Sequence, residues 1–216
     1  SMLQFDENSQ PQFASLDNIT GNLNFVRKIW SKYYQTGGKN NSNLKKEGNA
    51  LSKLILPYTV PKDALNSINK VANIFQNQKI TDGRLSKEII VDYLSKIGQI
   101  ETQYNPDNLK QKTNKPVIEE TIFLGRSYWQ VEAKTAQDLL KQNFNITKQN
   151  KEPLFGPKFE KTFRKSYPKG DSVLQYLSTL SEKQLVPILE NDMDLAATFA
   201  AADLITKLMR PDSIDI

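Results

Sequence analysis

The 216-residue sequence contains no histidine and no cysteine. That removes Ser-His-Asp and Cys-His catalysis, disulfide scaffolds and zinc sites with nitrogen or sulfur ligands. Acid–base chemistry then falls to carboxylate, tyrosine or lysine side chains. Long apolar runs are missing as well. No stretch approaches the ~20 residues needed to cross a bilayer, so no transmembrane segment is expected. The N-terminal "SMLQFDENSQPQF" lacks the basic region and apolar core of a secretory signal.

What is present suits a packed domain. The chain has 38% hydrophobic and 25% charged residues, polar for a globular protein but not the profile of a disordered one. Its length fits one domain, or one domain with an N-terminal appendage. The formal charge of +5 is spread unevenly. Residues 108–169 carry 13 Lys/Arg against 6 Asp/Glu, whereas residues 170–216 carry 3 against 8. A basic middle fits an anionic partner or, equally, a solvated lysine-rich loop.

Apolar spacing by three and four predicts a mainly α fold with at most a short β-hairpin, placed near 116–131. One stripe runs through Leu23, Val26, Ile29, Trp30 and Tyr33 and closes at Gly37-Gly38; a second cluster holds Leu51, Leu54 and Ile55. Pro61 opens a helix whose stripe is Leu65, Ile68, Val71, Ala72 and Phe75. The turn "TDGR" at 81–84 marks a soft boundary between a helical N-terminal region, 1–85, and a domain over 86–216. From Ser86 a helix runs to about Tyr104, where Asn105-Pro106 stops it. Another starts near Ala133 with Ala136, Leu139 and Leu140 on one face. Residues 143–170, with three prolines, predict irregular structure. Ser181 with Gln184 forms a capping box, and Leu180 with Leu185 the accompanying staple. Pro187 kinks or shortens that helix. Asn191 caps an alanine-rich last helix taken as the centre of the core.

Two segments bear on chemistry. In "IGQIETQYNP" (97–106), Glu101 falls four residues after Ile97 and seven after Leu94, on the apolar face and in the last helical turn. Partial burial and the negative helix end both disfavour a charged carboxylate, which suits a general acid. The plain alternative is a rim glutamate swung into solvent. In "GRSYWQVEAKTA" (125–136), Tyr128 and Trp129 can stack on sugar faces and Gln130 can hydrogen-bond a sugar substituent. Here the plain alternative is that Trp129 belongs to the core.

Together the two stretches resemble the lysozyme-like superfamily, in particular lytic transglycosylases and goose-type lysozymes. That family pairs a pattern like I-x-x-x-E-S-x-[FY]-N-P with a Gly-Leu-Met-Gln turn and a Pro-x-Thr-Ala helix start. Ile97, Glu101, Thr102, Tyr104, Asn105 and Pro106 match the first pattern; Tyr128, Trp129, Gln130, Val131, Thr135 and Ala136 match the second. The resemblance covers roughly 86–209. Three departures stand out: Ser127 replaces the turn glycine, Ala133 replaces the proline, and the family's Ala-Tyr-Asn motif has no clear counterpart in 191–209. Tyr128, Tyr167 and Tyr176 are the candidates for its tyrosine.

The resemblance implies a lysozyme-like domain that cleaves the MurNAc-GlcNAc bond of peptidoglycan, with Glu101 as general acid and then base. It also implies Thr102 and Gln130 as supporting residues, with Tyr104, Tyr128, Trp129 and Glu132 contacting substrate. Glu119, Glu120 and Glu132 are the candidates for a second carboxylate if the reaction is hydrolytic. No cofactor and no metal are expected. The partner is the glycan strand, with other virion proteins approached through residues 1–85. The setting is a phage virion, or release to the periplasm or wall. The alternative is a lysozyme-like wall-binding or virion structural module without turnover. Nucleic acid is not expected as a partner, because no helix of the sequence-based assignment carries a dense basic stripe.

Overall fold

The computed structural model describes residues 3–5, 11–13, 59–76, 86–110, 121–142 and 153–208. These are mainly helical. Two short antiparallel strands, β1 (Leu3–Phe5) and β2 (Pro11–Phe13), pair Gln4 with Gln12. Among the described residues seven α-helices follow: α1 (Lys62–Phe75), α2 (Lys87–Thr102), α3 (Ala133–Gln142), α4 (Pro157–Phe163), α5 (Val173–Ser178), α6 (Glu182–Asn191) and α7 (Met193–Leu208). The expected stripe at 23–33, the cluster at 51–55 and the turn at 81–84 lie outside the described residues.

α1 follows Pro61 directly, and all five apolar residues of its stripe are buried. α1 packs against α2 and α7, so residues 60–75 share one core with the helices beyond the boundary expected at 81–84. α2 starts at Ser86, whose hydroxyl accepts from the Ile89 N–H, and ends at Gln103 in the left-handed conformation, φ 53°. Every residue of α2 from Ile90 to Gly98 is buried. A helix enclosed on all sides is a core helix, a place it shares with α7, where Leu195 to Phe199 are all buried.

Several local expectations change. The strands described lie at 3–5 and 11–13, and residues 116–120 of the hairpin expected near 116–131 lie outside the described residues. Within 121–131 there is a 3-10 turn (Thr121–Phe123) and isolated bridges of Arg126 to Lys110 and Val131. The stretch 143–170, expected to be irregular, holds α4. Its Phe159 and Phe163 rings, 5.1 Å apart, turn inward, and Phe155 joins them to Phe199 of α7. Proline at the first position of α4 costs nothing, because that N–H has no helical partner anyway. The Ser181/Gln184 capping box is formed, but α6 runs through Pro187. The start of α7 is capped by Asp192 rather than Asn191: Asp192 Oδ1 accepts from the Leu195 N–H at 2.9 Å. Asn191 instead donates to the Pro187 carbonyl at 2.7 Å.

Candidate functional site

The C-terminal end of α2 and the turn before α3 come together in space. Arg126 and Val131 exchange two backbone hydrogen bonds, 2.9 and 2.8 Å, closing a four-residue loop over 127–130. Gly125 lies so close to this loop that a Cβ there would stand 2.8 Å from Gln130 atoms. Ser127 and Gln130 both take positive φ, 67° and 52°. Ser127 thus occupies a conformation that glycine adopts without strain.

Thr102 joins the two segments. Its Oγ1 lies 2.9 Å from the Gly98 carbonyl in its own helix and 2.9 Å from the Tyr128 carbonyl across the gap. A hydroxyl has one proton, so the two acceptors share it. Thr102 is 1% exposed, while its neighbour Glu101 is half-buried. Glu101 therefore sits at the mouth of the junction, in the last turn of α2, and makes no side-chain hydrogen bond or ion pair among the described residues.

Gln130 ties a third segment in. Its Nε2 donates to Ser127 O at 2.8 Å and to Asn108 O at 2.9 Å, holding the 3-10 turn Pro106–Asn108 against the loop. Asn105 starts that turn, its Oδ1 accepting from the Asp107 N–H.

Tyr104, Tyr128 and Trp129, expected to contact sugar, lie in the interior at 6%, 3% and 4% exposure. The correction has a clear physical basis: each ring packs on its neighbours, and two of the three polar tips bond to backbone inside. Tyr104 folds back over α2 and donates to Ser95 O at 2.8 Å. Burial, then the nearby Tyr128, holds its hydroxyl firmly protonated. Trp129 Nε1 donates to Leu94 O at 2.9 Å. Tyr128 packs edge-on between them, ring centroids 5.3 Å from Tyr104 and 6.1 Å from Trp129. Rings enclosed in this way fix the junction's shape and leave no face open to a sugar.

Glu132 is exposed just before α3, and its backbone carbonyl accepts from the Ala136 N–H. Partial burial of its carboxyl, then the Asp203 carboxylate, pushes it above the ordinary carboxylate value. Glu119 and Glu120 lie outside the described residues. Of the candidate tyrosines, Tyr167 donates to Asp192 Oδ2 at 2.6 Å, and none bonds to Glu101 among the described residues. A cleft of about 610 Å³ lies along Tyr167, Ile188, Asp192 and Met193, and Glu101 is not on its wall.

Two features escape the periodicity of the sequence. Asp92 and Lys96, i and i+4 on α2, form an ion pair with side chains 1% and 0% exposed. Burial pushes the Asp92 carboxyl up to about 6 in spite of the ammonium beside it, and lowers Lys96. Among the described residues, Asp92 Oδ1 and Ser95 Oγ are buried without a hydrogen-bond partner. Arg126, 2% exposed, pairs with Glu190 of α6 at 2.8 Å and donates to Leu124 O at 2.6 Å. In sequence, an i,i+4 Asp-Lys pair reads as a solvated helix face, and nothing near Arg126 marks it as interior.

No helix among the described residues is long and apolar enough to cross a membrane. No protein-family model, curated protein or solved structure matches the chain.

Proposed function

We propose that this chain is a peptidoglycan-cleaving lytic transglycosylase, with Glu101 as its general acid and base. The observation that carries the reading is the Thr102–Tyr128 hydrogen bond. It joins the two motifs that together resemble a lytic transglycosylase pattern, and leaves Glu101 at their junction. The positive φ of Ser127, at the position of the family's turn glycine, supports the same reading.

In this mechanism the Glu101 carboxyl gives its proton to the glycosidic oxygen as the bond to the anomeric carbon of MurNAc breaks. The N-acetyl group assists at that carbon, a substrate-assisted variation among glycosidases. Glu101, now a carboxylate, takes the proton of the MurNAc 6-hydroxyl as that oxygen closes on the anomeric carbon. The products are a 1,6-anhydro end and a free GlcNAc hydroxyl, and Glu101 regains its proton. No cofactor is required. The enzyme would act from a virion or after release at the wall, on glycan strands, with the part of 1–85 that precedes α1 meeting other virion proteins.

Mass spectrometry of digested sacculi tests the proposal. Anhydro-muropeptides are the expected product; new reducing ends would identify a hydrolase instead. A second reading, a wall-binding module without turnover, is favoured by one observation: no tyrosine hydroxyl bonds to Glu101 among the described residues. Sacculus binding with neither product would establish that reading.

A further inference from the structure

We infer that the outward face of α4 and the turn after it form a docking surface for an anionic phosphodiester polymer of the cell wall; the choice of a wall polymer rests on the function proposed above. α4 is the helix that the sequence-based assignment lacked. Once it is formed, Lys158, Lys161 and Lys165 fall at i, i+3 and i+7, on one side of the helix and its final turn. All three are exposed, and they stand about 4.5 and about 6 Å apart along the axis at 1.5 Å per residue. The opposite side holds Phe159 and Phe163, both buried. The lysine face therefore cannot rotate inward.

The charge on this face is left free by the way its neighbours are used. Glu160 is the one carboxylate between residues 157 and 170, and its two oxygens accept from the Val173 and Leu174 N–H groups at 2.8 and 2.9 Å, capping α5. Arg164 donates to the carbonyls of Lys169 and Gly170, at 3.3 and 2.8 Å, which pins the turn without neutralising the guanidinium. Lys169 lies over the Tyr176 ring, 5.9 Å from its centroid. Lys158, Lys161 and Lys165 make no ion pair among the described residues. Elsewhere Lys70 and Lys134 are paired with Asp194 and Asp138.

Among the described residues, the same face lacks what single-stranded nucleic acid needs. Base recognition uses open aromatic faces between the cations. Here the nearby rings are occupied: Tyr176 is covered by Lys169 and stands 6.5 Å from Tyr167, and the phenylalanines face the core. A surface with recurring charge and no stacking platform fits a polymer that offers recurring charge and no bases.

Binding of the full chain to three targets tests this. They are sacculi carrying a polyol-phosphate polymer, the same sacculi after hydrofluoric acid removes it, and a single-stranded oligonucleotide of similar charge. Intact sacculi should bind at least ten-fold more tightly than stripped ones. The logarithm of affinity should fall with that of salt concentration with a slope of about −2 to −3, the value for three or four neutralised phosphates. The triple variant Lys158→Gln/Lys161→Gln/Lys165→Gln should lose that preference and flatten the slope, whereas the matching arginine variant should keep both. Glycan turnover on stripped sacculi should stay at the wild-type level in both variants. Equal binding to intact and stripped sacculi, unchanged binding by the glutamine variant, or tighter binding to the oligonucleotide would each overturn the proposal. If the wild type binds the polymer yet releases no muropeptides, the docking surface stands and the catalytic reading falls.

Discussion

The Thr102 hydroxyl and the Tyr128 carbonyl, 2.9 Å apart, connect the end of a core helix to a loop 26 residues further along the chain. Thr102 is fixed from both sides, by its own helix and by the loop, and Glu101 is its immediate neighbour. The backbone position of Glu101 is thus set by the residue that follows it.

Thr102→Val keeps the shape and removes the proton. The Tyr128 carbonyl loses its bond to the hydroxyl, which predicts a loss of about 1–3 kcal/mol in urea unfolding. Turnover should fall with it, whereas Thr102→Ser should retain both. Unchanged stability in the valine variant would show that the contact does not hold the junction.

Glu101→Gln should separate chemistry from folding. The side chain is half-buried and unpaired, so stability should change by no more than about 0.5 kcal/mol. An amide has no acidic proton to give, so anhydro-muropeptide release should drop by about 100-fold or more. Wild-type turnover in this variant would remove Glu101 from the proposed role.

Gly98→Ala should destabilise, although alanine is the better helix former by about 1 kcal/mol. A Cβ at position 98 would stand 2.4 Å from the Tyr104 ring. Overpacking of that kind costs about 1–3 kcal/mol. In the Tyr104→Leu background the same glycine substitution should turn neutral or stabilising, and a double-mutant cycle measures the difference. Additive effects would mean that the two residues do not meet.

The Asp92–Lys96 pair predicts a pH dependence with a definite sign. The folded chain holds the Asp92 proton up to about 6, against 3.8 for the free side chain. Its contribution to stability is therefore full below about pH 4 and is lost as pH rises through about 6. Replacing the pair by Asp92→Leu/Lys96→Met should leave stability at pH 7 equal or raised, by up to about 4 kcal/mol. That advantage should shrink as pH falls from 6 to 4. Urea midpoints across this range check it, and a difference independent of pH would contradict the raised carboxyl.

Much of the helical layout could be read from short-range signals. Ser86 and the Ser181/Gln184 box mark helix starts because a cap acts on N–H groups two or three residues away, and Pro61 because its ring fixes the backbone φ just ahead of the helix. Asn191 was misread because Asp192, one residue on, offers the same chemistry, and local pattern does not rank them. α4 was hidden by flanking prolines; its Phe159–Phe163 spacing becomes a helix signal only with Phe155 and Phe199 to pack against.

At the candidate site the division is the same. The sequence by itself set which chemistry was available, by omitting histidine and cysteine, and placed Glu101 in the last turn of its helix. Both follow from residue type and from a periodicity a few residues long. The tertiary structure alone decided that Tyr104, Tyr128 and Trp129 are interior, that Asp92 and Lys96 are enclosed, and that Thr102 meets Tyr128. Burial depends on what covers a side chain from elsewhere in the chain: from Ile90 to Gly98, α2 is buried between elements that include α1 and α7, so one apolar stripe could not reveal which of its polar residues would be sealed in.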